Sequence, residues 1–417
     1  MPWQTAKSNP LIANMKRRGI QLLVTGAAKC QGNAGLQSQG ALRLLVVVFI
    51  RSAFLLLLAG VRCWGAPISL LSWNVAGNGA TDWTTNAPQI QAIARIVRFI
   101  NPDLITFQEI PHSHVAEMTN FVAAFLPGFH LARFSGTDGI LRSVILSRFP
   151  INREQKWLDG VLLNDFGYDG RFTRDVFEAE IAVPDWPVPL HVFTTHLKAG
   201  FDGDSVARRG AEALAISNFV VNTFYPTRTN HPFLLTGDFN EDAVVHANSG
   251  GGVIPKLTNQ VVGLRLTSPV HPTTGSERTF SIRSSLQSRL DYILPNGLLF
   301  SNIVASQTFR AGLLNPLPPG LEAMDDRTAS DHLAVLMLIE NPYVGPFRVT
   351  QIEADGDFMT LRWEGVAGRR YTVKWSPDLE HWNDAATGIL VGGPGGLWNT
   401  ARPPDTRFYR LLQEPAP

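Results

Sequence analysis

The sequence predicts a layered α/β domain built on mixed β-sheets, followed by a small antiparallel all-β module. Three observations point there. From Pro67 onward, short apolar runs alternate with stretches of helical period. Helices lie between some of those runs and tight turns between others, so the sheets mix parallel and antiparallel strands. After Asn341-Pro342 the helical periods thin out and aromatic residues become frequent.

Residues 1–66 read as a leader. Residues 44–61 are LLVVVFIRSAFLLLLAGV, and Arg51 splits them into runs of seven and ten. A spanning helix wants ~20 uninterrupted apolar residues. A secretory signal wants a basic start, ~7–15 apolar residues and a small-residue cleavage site. Arg51, Ala53 to Val61 and Trp64-Gly65-Ala66 meet that pattern, so cleavage is expected after Ala66, leaving Pro67 first. A membrane anchor using the whole apolar run is the alternative. The stretch 1–45 has no clear period and is long for a signal's charged region, which suggests a true start near Val46–Val48. A secreted or periplasmic location is expected. The mature chain would then contain no cysteine, since Cys30 and Cys63 both lie in the leader.

The elements follow in order. Ile68 to Trp73 is an apolar, β-rich run that stops at Asn74. Ile90, Ile93, Ala94, Ile96 and Val97 give Pro88 to Phe99 a helical period. Asp103 to Gln108 is a buried strand ending at Glu109, and Val115 to Phe125 is helical again. Ser143 to Leu146, Phe177 to Ala182 and Leu190 to Thr195 are strands, the last ending at His196. Val206 to Phe224 is a long helix, and Phe233 to Thr236 is a strand ending at Gly237-Asp238. Arg289 to Leu294 and Leu333 to Ile339 complete this region. Beyond it, Phe358 to Trp363, Tyr371 to Trp375 and Phe408 to Leu412 alternate as antiparallel strands, with Trp363, Trp375 and Trp382 read as core. The expected domains are thus the leader 1–66, a catalytic domain 67–342 and a β module 343–417.

Composition removes several function classes. Of 417 residues, 45% are hydrophobic and 17% charged, a globular balance. Two cysteines exclude a disulfide scaffold and a cysteine zinc cluster. The net charge of +1 hides an asymmetry: residues 1–66 carry eight Lys/Arg and no acid, leaving 28 basic against 35 acidic residues, a net of −7, for the rest. That rules out a protein that coats nucleic acid through a basic surface. An anionic substrate must be met by local arginines or by a metal ion.

Five strand ends carry chemistry: Asn74, Glu109, His196, Asp238 with Asn240, and Asp331 with His332. Open α/β sheets bind ligands at such ends. Alone, Glu109 reads as one half of a salt bridge to an arginine. Together with the other ends it reads as a metal ligand, because a carboxylate at a buried strand's lip needs a partner. Oxygen donors without cysteine suit Mg²⁺, with Mn²⁺ or Ca²⁺ as alternatives. In Leu234-Leu235-Thr236-Gly237-Asp238-Phe239-Asn240, Gly237 permits a close backbone approach. Asp238 and Asn240 face the same way if the turn stays extended, pairing a proton acceptor with an amide that orients water and phosphate. His332 is placed to donate to a phosphoryl oxygen, and Asp291 to fix its tautomer.

The chain resembles the endonuclease/exonuclease/phosphatase superfamily from about Ile68 to Ile339. The matching pieces are Ser72-Trp73-Asn74-Val75, Asp103 to Glu109, Leu146-Ser147-Arg148-Phe149-Pro150, Thr195-His196-Leu197, Gly237-Asp238-Phe239-Asn240, Leu290-Asp291-Tyr292 and Ser330-Asp331-His332. The resemblance implies a four-layer sandwich of two packed mixed β-sheets flanked by helices. It also implies metal-assisted, in-line hydrolysis of a phosphate ester by water. On that pattern Glu109 holds the metal, with Asn74 and Asp331 near or on it. Asp238 aligns and activates the water, and Asn240 binds phosphate and water. His332, paired with Asp291, stabilises the pentavalent phosphorus, while His196 touches a phosphate oxygen or assists the leaving group. One departure is Ala76, where some relatives carry a carboxylate or an arginine. The C-terminal segment resembles β modules appended to large secreted bacterial proteins, around Tyr371-Thr372-Val373, Ser376-Pro377-Asp378-Leu379 and Phe408-Tyr409-Arg410-Leu411.

Arg171, Arg174 and Lys198 are candidate phosphate contacts, since guanidinium grips phosphate bidentately. Arg208 and Arg209 read equally as phosphate contacts or as a solvated helix face. Thr195 to Gly200 and Arg289 to Tyr292 look more like secreted or repair nucleases than lipid-cleaving members. The expected function is an exported nuclease acting on nucleic acid. A sphingomyelinase-like enzyme or inositol-phosphate phosphatase of the same fold is the alternative, favoured by an exposed aromatic hairpin. A non-catalytic binding protein on this scaffold is the third reading. No obligate protein partner is expected, and the C-terminal module is expected to make surface or protein contacts.

Overall fold

The computed structural model describes residues 67–413, apart from 229, 244–251, 344–348, 366–368, 379–380, 393–394 and 406. The leader, its cleavage site and both cysteines lie outside the described residues, as does Leu379.

Two mixed sheets stack face to face. The first comprises β1 (Ile68–Asn74), β2 (Leu104–Pro111), β3 (His130–Ala132), β4 (Leu141–Ser147), β10 (Ile303–Phe309) and β11 (Ala334–Ile339), in the order β10-β11-β1-β2-β4-β3. The second runs β5 (Ile151–Trp157), β6 (Val176–Ile181), β7 (Leu190–His196), β8 (Phe233–Asp238) and β9 (Asp291–Pro295) in sequence order. Among the described residues only β1–β2 and β7–β8 pair in parallel, and a helix lies between the two strands of each pair. The core between the sheets includes Leu70, Leu104, Ile145, Ala179, Val192, Leu234, Ile293 and Val335.

Helices cover both outer faces, giving four layers. Helix α1 (Pro88–Ile100) starts with Pro at its first turn, where the missing N–H costs nothing. It buries Ile90, Ile93, Ala94, Ile96 and Val97, and ends where Asn101 turns left-handed with its N–H on Val97 O. With α2 (Glu117–Phe125) it shares a core with Trp73 and Phe107; Trp83 is buried there. Helix α3 (Gly203–Phe219) is capped by Asp202, whose side chain accepts from Ser205 N, and continues into a π-helical turn, Val220–Phe224. It covers the second sheet together with α4 (Val253–Leu257). Trp157 packs on Phe219 at 4.8 Å between ring centroids.

After Pro342 come β12 (Val349–Asp355), β13 (Phe358–Glu364), β14 (Arg370–Ser376), β15 (Asn383–Leu390), β16 (Gly395–Ala401) and β17 (Phe408–Gln413). They form two antiparallel three-stranded sheets, β12-β13-β16 and β15-β14-β17. Trp363 belongs to their core with Leu361, Tyr371 and Val373. Trp375 and Trp382 are half-buried, each beneath an arginine: Arg407 at 4.0 Å and Arg410 at 4.2 Å from the ring centroids. Among the described residues no helix is long and apolar enough to cross a membrane.

Candidate active site

Strand alternation builds the site. Side chains two residues apart share a face, and on each inner face the residues change from hydrocarbon to hydroxyl to reactive group toward one end. Leu70, Ser72 and Asn74 make that progression in β1, Val192, Thr194 and His196 in β7, and Leu234, Thr236 and Asp238 in β8. Parallel and antiparallel registers then place His196 opposite Asp238 and Asp238 opposite Asp291. Below the reactive groups, Thr236 Oγ1 donates to Thr106 Oγ1 at 2.9 Å and Gln108 Nε2 donates to Thr194 Oγ1 at 2.9 Å, tying the sheets together.

Glu109 arrives differently from the expectation that it follows the strand's end. Strand β2 runs on to Pro111, and its pairing with β4 shifts register between Phe107 and Ile110. Glu109 sits in that bulge with φ 62°. A bulge redirects one side chain out of alternation, and here it brings Glu109 beside the inner-face groups. Gly77 is required at the close approach that follows, where a Cβ would meet Glu109 O at 2.0 Å.

Asn74 stands between two carboxylates. Its Nδ2 donates to Glu109 Oε1 at 3.0 Å and to Asp238 Oδ2 at 2.9 Å, while its Oδ1 accepts from Ala76 N at 2.9 Å. His196 Nε2 lies 3.9 Å from Glu109 Oε1 and 3.8 Å from Asp238 Oδ2. Across the cleft, His332 Nδ1 is 2.8 Å from Asp291 Oδ2, and His332 Nε2 is 3.7 Å from Asp238 Oδ2. Asp331 Oδ1 is 3.9 Å from the same Nε2.

The turn after β8 does not stay extended. Asn240 is left-handed, φ 51°, because its N–H bonds back to Asp238 Oδ1 at 2.8 Å. Its side chain then reaches Leu197 O at 3.2 Å instead of running parallel to Asp238. Gly237 is needed for packing, since a Cβ there would meet Thr195 O at 1.9 Å.

Burial sets the electrostatics. It pushes the Asp238 carboxyl up to about 7, with the Asp291 charge adding to it and His332, Asn240 and Asn74 opposing. Burial works the other way on His332, yet the Asp291 and Asp238 carboxylates hold that imidazole up at about 10. His196 falls well below the usual histidine range through burial, reinforced by Arg174 and His332. One imidazole is thus kept cationic and the other neutral within a single cleft.

Arg174 is buried at the rim, donating to His196 O at 2.9 Å and pairing with Asp138 at 2.7 Å. Arg171 is spent on Gly160 O at 2.6 Å, and the Lys198 ammonium rests on Ala199 O at 3.0 Å, so neither bonds the central cluster. Arg208 lies over Tyr168, whereas Arg209 is fully buried and forms no solvated face. Sequence reasoning missed Asp138 and Ser330. The Ser330 hydroxyl donates to Asn74 O at 2.6 Å and accepts from His332 N at 3.0 Å, joining the two halves of the site. Its place within Ser330-Asp331-His332 was the available signal.

Glu109, His196 and Asp238 each offer a ligand atom within 4.8 Å of the others. Two carboxylates with one imidazole fit a divalent cation.

A sequence profile described as the Endonuclease/Exonuclease/phosphatase family matches residues 71–332. The chain matches no curated protein in sequence. Similar solved structures include truncated Caenorhabditis elegans TDP2, 15% identical, covering 66% of this chain and 98% of that one at a TM-score of 0.44. A family protein from Leptotrichia buccalis C-1013-b is 16% identical, with coverages of 66% and 99% and a TM-score of 0.47. The human Nocturnin catalytic domain with bound sulfate is 16% identical, with coverages of 66% and 93% and a TM-score of 0.46.

Proposed function

Because the chain belongs to the endonuclease/exonuclease/phosphatase family, whose members are generally metal-dependent phosphoester hydrolases, we propose that it hydrolyses phosphodiesters with a divalent cation. One observation carries this reading. Among the described residues, neither Glu109 nor Asp238 has an arginine or lysine ion partner; the imidazole beside Glu109 is the neutral His196, and the cationic group within 4 Å of Asp238 is His332. Two carboxylates packed around one amide need a counter-charge. That removes the alternative of Glu109 as half of an arginine salt bridge.

A cation held by Glu109, with Asn74 and Asp331 near it, would polarise the phosphoryl group and neutralise its charge. The chain's own groups do the rest. Asn74 and the Asn240 N–H hold Asp238 in one orientation, from which its carboxylate accepts a proton from the attacking water. His332, kept cationic by Asp291, donates from Nε2 to the phosphoryl oxygen where negative charge grows. Neutral His196 donates to a second oxygen without adding charge.

Nucleic acid is the first substrate class. Phospholipid is the second reading, and one observation favours it. The loop between β3 and β4 exposes Phe134 at 63% and Ile140 at 60%, and the loops that follow β5 and β7 expose Leu162 at 55% and Phe201 at 67%. Gly136 N donates to Asp175 at 2.7 Å and Arg174 pairs with Asp138, so two of those loops form one continuous rim. The purified chain should be assayed on plasmid DNA, RNA, sphingomyelin and inositol phosphates, each with Mg²⁺, Mn²⁺, Ca²⁺ or chelator. Hydrolysis that disappears with chelator is expected. Activity surviving chelation and dialysis would exclude the metal-dependent mechanism, and cleavage of sphingomyelin alone would replace nucleic acid by lipid.

We further propose that 67–342 is the catalytic unit. The reactive cluster lies wholly within it. A chain ending at Pro342 is expected to fold and keep turnover on bis(p-nitrophenyl) phosphate; an unfolded or inactive truncation would show that the β module completes the site.

A further inference from the structure

Helix α3 presents two buried charged groups to the loop that follows His196. Arg209 and Glu212 are both fully buried and, three residues apart, share one helix face. Glu212 Oε2 accepts from Lys198 N at 3.0 Å, and its Oε1 accepts from Thr173 N at 2.8 Å and from the Thr173 hydroxyl. Arg209 Nη1 donates to Lys198 O at 2.9 Å and to Gly200 O. The guanidinium lies in electrostatic reach of Asp238 and Glu241, and its Nε and Nη2 find no hydrogen-bond partner among the described residues.

The peptides held in this way flank site residues. Thr173 precedes Arg174, which donates to His196 O at 2.9 Å. Lys198 follows Leu197, whose N–H donates to Asp238 O at 3.1 Å and whose carbonyl accepts from Asn240 Nδ2 at 3.2 Å. Securing a helix on a sheet calls only for apolar side chains, and replacing buried ions by such residues is often neutral or stabilising. Both charged groups instead spend their hydrogen bonds on these site-flanking peptides.

We propose that Arg209 and Glu212 are positioning residues: they clamp the 197–200 segment and, through the Leu197 carbonyl, fix the side chain of Asn240. The inference rests on the phosphodiesterase reading. It predicts coupling between helix and turn that a purely structural role would not produce, because residues acting through one geometry lose activity non-additively.

The test uses the full chain with Mn²⁺ and bis(p-nitrophenyl) phosphate, with thermal unfolding as the control for folding. Arg209→Met and Glu212→Leu should lower kcat about 10-fold or more with KM changed less than about threefold, and Glu212→Gln, which keeps an acceptor for Lys198 N, should recover most of the loss. The Arg209→Met/Asn240→Ala double variant should be within about twofold of Asn240→Ala alone. If Arg209→Met does not fold, Arg209→Lys enters the same cycle. Folded variants with wild-type kcat, or fully additive losses, overturn the clamp while leaving the phosphodiesterase reading standing. A wild-type chain inactive on every phosphodiester overturns that reading and the clamp with it.

Discussion

Replacing His332 by alanine is expected to lower turnover ~10²-fold or more, and Asp238→Asn should cost as much, with the fold retained. The two groups face each other at 3.7 Å in opposite charge states. Asp238, raised to about 7, is ionised above that pH; His332, raised to about 10, is cationic below its own. Both are in their working states between those values. Activity should therefore fall on the acid side as Asp238 gains a proton and on the alkaline side as His332 loses one. Asp291 accounts for much of the His332 shift through its 2.8 Å contact with Nδ1. Asp291→Asn should thus move the alkaline limb to lower pH and cost less than His332→Ala. Combining the two should cost little more than His332→Ala alone, because the pair acts as a unit. pH–rate profiles of the four variants and the double variant on one substrate decide the matter. Full additivity, or an alkaline limb unmoved in Asp291→Asn, would falsify the dyad.

Glu109→Gln is expected to be comparably severe, for a different reason. The substitution keeps the shape and the contact with Asn74 but removes the charge that would hold a hard cation. Activity should fall steeply and return in part at high Mn²⁺ or Mg²⁺, because the weakened site is filled by mass action. Calorimetric titration with Mn²⁺ should show the same loss without any assay of turnover. Unchanged Mn²⁺ affinity would remove Glu109 from the metal site.

The interior of the fold was legible in the sequence, as were the edges β9 and β17, which keep apolar runs; the other edges were not. Strands β1, β2, β7 and β8 are long apolar runs because they are buried on both faces. Strands β3, β5 and β10 were missed, and each is the edge of its sheet. The β5 sequence Ile-Asn-Arg-Glu-Gln-Lys-Trp shows why: an edge facing water needs no apolar run. The site divides similarly. Asn74, His196, Asp238 and His332 were visible because each interrupts or adjoins an apolar run. The bulge at Glu109 was hidden, since Gln108-Glu109-Ile110 contains no glycine or proline to announce a left-handed residue. Arg174 was read as a candidate phosphate contact, and its pairing with Asp138 lies between loops, where no local pattern encodes it. Arg171 has the same residue type and a similar setting, yet its hydrogen bond goes to the Gly160 carbonyl.

The progression from Leu to Ser or Thr to Asn, His or Asp along the inner faces makes strand register and active-site alignment one quantity. Slipping β7 against β8 by one residue would bring Thr195 or Gly237 to the catalytic level in place of His196 or Asp238, and would drive Leu234 or Val192 out of the hydrocarbon layer. The hydrophobic core thus acts as the ruler against which the strand-end polar groups are aligned. A chain that has closed its core has already set the level of its strand-end groups. The loops at that end add the groups the strands do not carry, with Asn240 on Asp238 and the 197–200 segment held on α3. Variation in the exposed residues of the loops would leave that level unchanged, because it is fixed by the packing beneath.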